Sequence, residues 1–400
     1  MKDLKKVLLV LLMSFLSLSV FACSEGTDIE ETKTELAIEL STVDTHRKNT
    51  IYIDGGQVYT KGDNRVGELG DGTFESKDVE VNITSQFDLD SDDEIVSVRL
   101  GEYHGIALSQ NGRVFTWGHN SYGKLGLAGG SNQNTPVDIT DNFNLEENEK
   151  IVYISAGRDN NAIITSMNRV FTFGVNAYGQ LGNGEINNPW EETIYTPQDI
   201  TDAFELEDDY IVKIDLGNNH SMALSAYGQV FAWGDNEYGQ LGIGDEDEQV
   251  LEPMNITDQF DLDEDQIIDI EVGYNHSGVL SETGRVFVFG DNSLGQLGIG
   301  TLPRLSYEPI EISDSFSEDE DIVRLRFSHE SSAVITNQNA YVFGYNFNGQ
   351  LGLGHQSAVN TPTIVDKSLY NNQTIIDIFI AKETYTMVFD DQSIESQDLT

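Results

Sequence analysis

Three groups of side chains could carry chemistry. His104, His220 and His276 share one position of a repeating unit, each fourteen residues before a glycine (Gly118, Gly234 and Gly290). The third and fifth copies place Asn160 and Glu330 there, with His329 beside the latter. Imidazoles gathered at one point could hold a transition metal. Ligands on separate repeats lie too far apart for one ion, so these histidines are read as structural, each bonding the backbone of its own unit. The second group is acidic: Asp88, Asp90, Asp92, Asp93 and Glu94, and again Asp261, Asp263 and Asp265. The spacing is that of a calcium loop without its glycine at position six and glutamate at position twelve. These are read as solvated loops, with weak calcium binding as the only cofactor expectation. The third is a lone thiol, Cys23. The chain has no Gly-x-Ser-x-Gly elbow and no phosphate loop, and paired carboxylates are too common to single out. No catalytic residue and no metal site is assigned, and the chain is expected not to be an enzyme.

Cys23 stands where lipid chemistry would need it. Lys2, Lys5 and Lys6 precede an apolar run from Val7 to Ala22, which has the length of a signal-peptide core. The run ends Val20-Phe21-Ala22-Cys23, which resembles a bacterial lipoprotein signal. Residues 1–22 are therefore expected to be removed and Cys23 to be lipidated. The alternative is ordinary cleavage and secretion. Residues 23–48 are acidic and poor in aromatics and are read as a tether.

Charge narrows the partners. The chain of 400 residues carries 68 Asp and Glu against 22 Lys and Arg, a formal net charge of −46. Without residues 1–22 the balance becomes −48. Nucleic acid is bound chiefly by cationic side chains, so it is excluded as a partner. The membrane is approached only through the N-terminal lipid, and the chain is read as a monomer with an unidentified protein partner.

The elements that must position these residues come from a repeat of about 56 residues. One phrase, Val230 to Gly242, recurs six times, with its first glycine at Gly62, Gly118, Gly174, Gly234, Gly290 and Gly344. Glycine suits tight turns and close backbone approach. The intervening Asn236 and its equivalents are turn residues that bond their own backbone. Leu241 is the apolar anchor. Upstream, Ile211 to Leu224 and its parallels read as two short strands split by a glycine turn. Between units, Asp199-Ile200-Thr201 to Phe204 reads as a single capped turn pinned by Ile and Phe. A short strand precedes that turn, often starting near a proline such as Pro253. Four short strands per unit, repeated, predict an all-β propeller.

The run His-Ser-x-Ala-Leu followed by Gly-x-Val-Phe-x-Trp-Gly-x-Asn-x-Tyr-Gly-Gln-Leu-Gly, carried here by His220 to Gly242, resembles the regulator of chromosome condensation repeat. The resemblance covers roughly residues 43–392 and implies a ring of four-stranded blades. The N-terminus has a phrase with a degraded first half, and the C-terminus, Ile375 to Phe389, has a first half with no phrase. Joining the two predicts six blades closed by strands from both ends. Seven, the number usual in that family, is the alternative. The propeller is assigned to residues 49–392 and a tail to 393–400.

Function is then expected where repeats disagree. The link between the third and fourth phrases is four residues longer and contains Trp190 and Tyr195. The next link holds Arg304 and Tyr307, and Tyr103, Arg158 and Tyr274 vary beside the recurring His position. These are the candidate partner-binding residues. The expected function is an extracytoplasmic, membrane-anchored protein-interaction scaffold. The alternatives are an inhibitor or binder of a secreted or envelope enzyme and, as the resemblance to the eukaryotic namesake implies, guanine-nucleotide exchange. Export and the acidic surface argue against the last.

Overall fold

The computed structural model describes residues 41–187, 194–246, 249–390 and 393–398. The signal segment, Cys23 and Trp190 lie outside the described residues.

Each repeat folds into an antiparallel sheet whose strands follow in chain order. In the fourth sheet they are Ile211–Leu216, His220–Ser225, Val230–Asp235 and Gln249–Asn255. The second and third strands are buried along their whole length, because neighbouring sheets cover both faces. That burial explains their near-continuous apolar sequence. The fourth strand, at the rim, is half exposed and mixes Gln249 and Glu252 with Val250 and Met254.

Among the described residues there are seven sheets. The degraded N-terminal half supplies two strands of its own, Val43–His46 and Asn49–Asp54, which pair with Gln57–Gly62 and Lys77–Asn82. Its turn was unrecognisable because His46, paired with Asn49 as Gly101 is with His104, stands where the usual glycine does. The first blade thus begins inside the stretch read as tether. At the other end Ile375–Ile380 and Thr384–Phe389 are joined by Ile394–Asp398, a polar strand in the stretch read as tail. The ring closes where the chain ends meet, but each end forms its own sheet, so the count is seven rather than six. The seam is made by side chains: Thr45 and Thr386 hydroxyls lie 2.9 Å apart, and Thr50 and Ser396 hydroxyls 3.2 Å apart.

The recurring phrase is a latch between blades. Inside it the Asn236 side-chain Oδ1 accepts the Leu241 N–H at 3.1 Å, and the other five copies repeat this bond. Leu241 is buried, as expected of an anchor. The glycine after that leucine faces the next blade. A Cβ on Gly182 would lie 2.8 Å from Trp233 Nε1, and that nitrogen donates to the Gln180 carbonyl at 3.0 Å. The inter-unit turns are short 3-10 helices with Phe204 and its equivalents buried. Their threonine does not cap the turn as expected. It pins it to a strand, since the Thr201 hydroxyl accepts from Val170 N at 2.9 Å, while Asp199 accepts from Thr201 N.

Candidate functional site

The first strand of each blade faces the axis of the ring. Its residues alternate, so the Ile and Leu side chains enter the blade and those between them enter a central channel. In the fourth blade Ile214 and Leu216 are buried in the core, while Lys213 and Asp215 line the channel. The same register places Asp44, Arg99, Ser155, Asp215, Glu271 and Arg326 at one level, on the first six blades. The space between them is about 110 Å³ and opens at one mouth of the channel.

These charges are stitched across blades. Lys213 Nζ lies 2.7 Å from Asp269 and 2.8 Å from Glu271. Arg326 bridges Glu271 at 3.1 Å and Asp377 at 2.9 Å, and Arg324 reaches Asp377 at 2.7 Å. Burial works to raise the Asp377 carboxyl, but the two guanidiniums outweigh it and hold it low. Asp215 goes the other way. Burial, and then the negative charge of Glu271, push it up to about 7.

At one mouth of the channel all seven blades contribute to a cluster. Glu102 accepts from Arg47 at 2.9 Å and from Arg158 at 2.5 Å, and Arg158 also donates to Asn218 at 2.8 Å. Burial acts to raise Glu102, but Arg158 and Arg47 keep its carboxyl below the usual range. The Arg158 guanidinium lies 5.6 Å from the Tyr274 ring centre, and Tyr274 meets His329, which meets His46 at 5.1 Å. Tyr103 takes the Arg47 guanidinium at 5.2 Å and accepts from it at 3.0 Å. Glu383 completes the circle, 3.9 Å from Arg47.

Of the residues singled out in the sequence, Tyr103, Arg158 and Tyr274 meet at this mouth. Tyr195, Arg304 and Tyr307 do not. They lie farther out on the same face, Tyr195 and Arg304 in loops between third and fourth strands and Tyr307 on the fourth strand Leu305–Glu311. Tyr307 donates to the Glu237 carbonyl at 3.1 Å, and the Tyr195 backbone abuts Gly123. Both tie one blade's latch to the next blade's outer segment. The acidic loops lie on the opposite face, where Asp93 accepts from Asn111 N and Asp265 from Thr283.

The recurring histidines are structural, but their partners lie across the seam rather than in their own unit. His220 Nε2 is 2.9 Å from Ser277 Oγ, His276 Nε2 2.8 Å from Ser332 Oγ, and His104 Nε2 3.0 Å from Asn161 Oδ1. Ser277 then donates to the Gln240 carbonyl at 2.8 Å. In the sixth blade the place is taken by Ser331, opposite Gly344, rather than by Glu330. Burial lowers these imidazoles, to about 4 for His104 and about 3 for His220 and His276. His329 is lowered to about 4, mainly by burial.

A pH dependence follows. Unfolded histidine titrates near 6.5, so below that value the unfolded chain takes up protons that these buried rings refuse. Asp215 opposes them, since its folded form takes a proton as pH falls through about 7. His46 is lowered by burial as well, and five histidines outweigh the raised channel carboxyls Asp215 and Asp44. Stability should therefore fall on acidification from pH ~6.5 towards ~4.5, by about 1.4 kcal/mol per pH unit for each net proton. Thermal unfolding followed across this range checks it, and a flat midpoint would contradict it.

The channel-facing charges escaped the sequence reading, although their signal was there. Lys213 and Asp215, like Asp269 and Glu271, interrupt Ile-rich strands at alternate positions.

Comparison with known proteins agrees with this architecture. The family model of the RCC1-like domain matches residues 34–387. The human probable E3 ubiquitin-protein ligase HERC6 is 31% identical over 277 residues, which is 68% of this chain but 26% of HERC6. The ultraviolet-B receptor UVR8 of Arabidopsis thaliana is 29% identical over 61% of this chain and 51% of its own length. The chain thus spans about a quarter of one relative and half of the other. Among solved structures, yeast RCC1 (Prp20) bound to Kap60 superposes with a TM-score of 0.74 at 19% identity, over 96% of this chain and 86% of that one. Human WBSCR16 gives 0.72 at 22% identity, over 87% and 86%. A propeller of this kind is an interaction or regulatory module, and the chain belongs to the RCC1-like domain family.

Proposed function

We propose that this chain is a protein-interaction scaffold without catalytic activity, held outside the cytoplasmic membrane by lipid on Cys23, and that it docks its partner on the face carrying the channel mouth. One observation carries the reading. The residues that recur from blade to blade are used in latching blades together, whereas the partly exposed cluster of Tyr103, Arg158, Tyr274 and His329 differs from blade to blade. Tyrosine and arginine are the side chains that most often anchor interfaces. Yeast RCC1 bound to Kap60 is a propeller of the same fold in a protein complex, which supports a binding role in kind without naming this chain's partner. Crosslinking on intact cells followed by pull-down should recover envelope or secreted proteins. Recovery of cytosolic GTPases instead would overturn the reading.

The anchor has its own test. Radiolabelled palmitate should enter the wild-type protein, and Cys23→Ala should lose the label and leave the membrane fraction. Labelling that survives the substitution would sink the lipid assignment.

A further inference from the structure

The channel contains charges that the propeller leaves unpaired. Arg99, on the first strand of the second blade, makes no side-chain hydrogen bond or ion pair among the described residues, yet it is half-buried and lines the cavity. Asp44 and Asp215 lie at the same level and, among the described residues, have no cation within salt-bridge distance. Their carboxylates accept backbone N–H groups, Asp44 from Leu100 at 2.8 Å and Asp215 from Val272 at 2.7 Å. All three border the same 110 Å³ space. His46, at the mouth end, has a buried Nε2 without a partner. The other channel charges are committed to one another, Lys213 to Asp269 and Glu271, Arg326 to Glu271 and Asp377.

A half-buried guanidinium and two half-buried carboxylates that face one channel without an ionic partner are free to take a ligand that satisfies all three. A guanidinium presents a planar fork that fits a carboxylate, and two carboxylates offer acceptors to an ammonium. A phosphate would meet Asp44, Asp215 and Glu271, and a divalent cation would meet Arg99 and Arg326. A molecule with both charges and no net charge meets neither objection. A 150 Å³ cavity takes up benzene, with six heavy atoms, so this smaller one suits about five.

We propose that the channel binds a small zwitterion, an α-amino acid of the size of glycine or alanine, with its carboxylate on Arg99 and its ammonium between Asp44 and Asp215. Entry is past Arg158, Tyr274 and His329, which line the mouth end of the same cavity, so the site lies directly beneath the docking face and opens onto it.

The test is calorimetric titration of the full chain in detergent with glycine, alanine, acetate and methylamine. Glycine should bind saturably, and acetate and methylamine, each carrying one of its charges, should bind at least about ten-fold more weakly. Arg99→Gln should weaken glycine binding by at least about thirty-fold. Arg99→Lys, which keeps the charge without the fork, should give an intermediate loss, and Arg304→Gln, on the outer loops, none. If Arg99→Gln fails to fold, Arg99→Lys decides. No saturable heat with glycine or alanine would mean that the space holds water only and would overturn the proposal. Acetate binding as tightly as glycine, or wild-type affinity in the Arg99 variants, would overturn it equally.

Discussion

Arg326→Met should lower the folding free energy by about 3 kcal/mol. Arg326 is four-fifths buried in the channel, and it holds Glu271 and Asp377 together from between them. It also lies 5.2 Å from the Phe379 ring centre. Removing one partner of a buried pair typically costs about 3–5 kcal/mol, because the remaining charge stays out of water uncompensated. The low end applies here, since Lys213 still meets Glu271 and Arg324 still meets Asp377. Arg326→Lys should cost less, because a cation remains. Denaturant unfolding measures both. Wild-type stability in the Met variant would mean that the channel charges are solvated and mutually independent.

Trp233→Ala should cost about 3–5 kcal/mol, the range for truncating a buried aromatic. The indole is fully buried, packs edge-on against Phe204 with centroids 5.8 Å apart, and covers Gly182 of the preceding blade. Trp233→Phe should cost only about 1 kcal/mol. Phenylalanine already fills this position at Phe173, Phe289 and Phe343, and the Gln180 carbonyl keeps the Ser221 hydroxyl as a donor at 2.9 Å. The contrast between the two variants isolates packing from the hydrogen bond. Equal losses for Ala and Phe would contradict the latch described for the phrase.

Much of this was legible before the structure. The alternation of Ile211 to Leu216, the rigid Asn236-to-Leu241 spacing and the buried Phe204 each have a local cause, and local causes can be read along the chain. What escaped lies between repeats. The partner of His220 is Ser277, one whole repeat away, and no local pattern links them. The latch glycines read as turn residues because the aromatic above Gly182 lies some 50 positions downstream. The first blade was hidden because His46 takes the place of glycine in its turn, and the last strand because Ile394 to Asp398 is too polar to suggest a sheet. At the candidate site Tyr103, Arg158 and Tyr274 could be found because they break the repeat beside a constant position. Arg47, Glu102 and His329 were missed as their partners, since only closing the ring brings them into reach.

The docking face is the central claim, and site-specific photo-crosslinking tests it most directly. A photoreactive residue placed at Tyr103 or Tyr274, beside the channel mouth, should give adducts with an envelope or secreted protein on intact cells. The same residue at Thr283, exposed on the opposite face, should give none. Adducts from Thr283 with the mouth positions silent would place the partner on the acidic face and contradict the account.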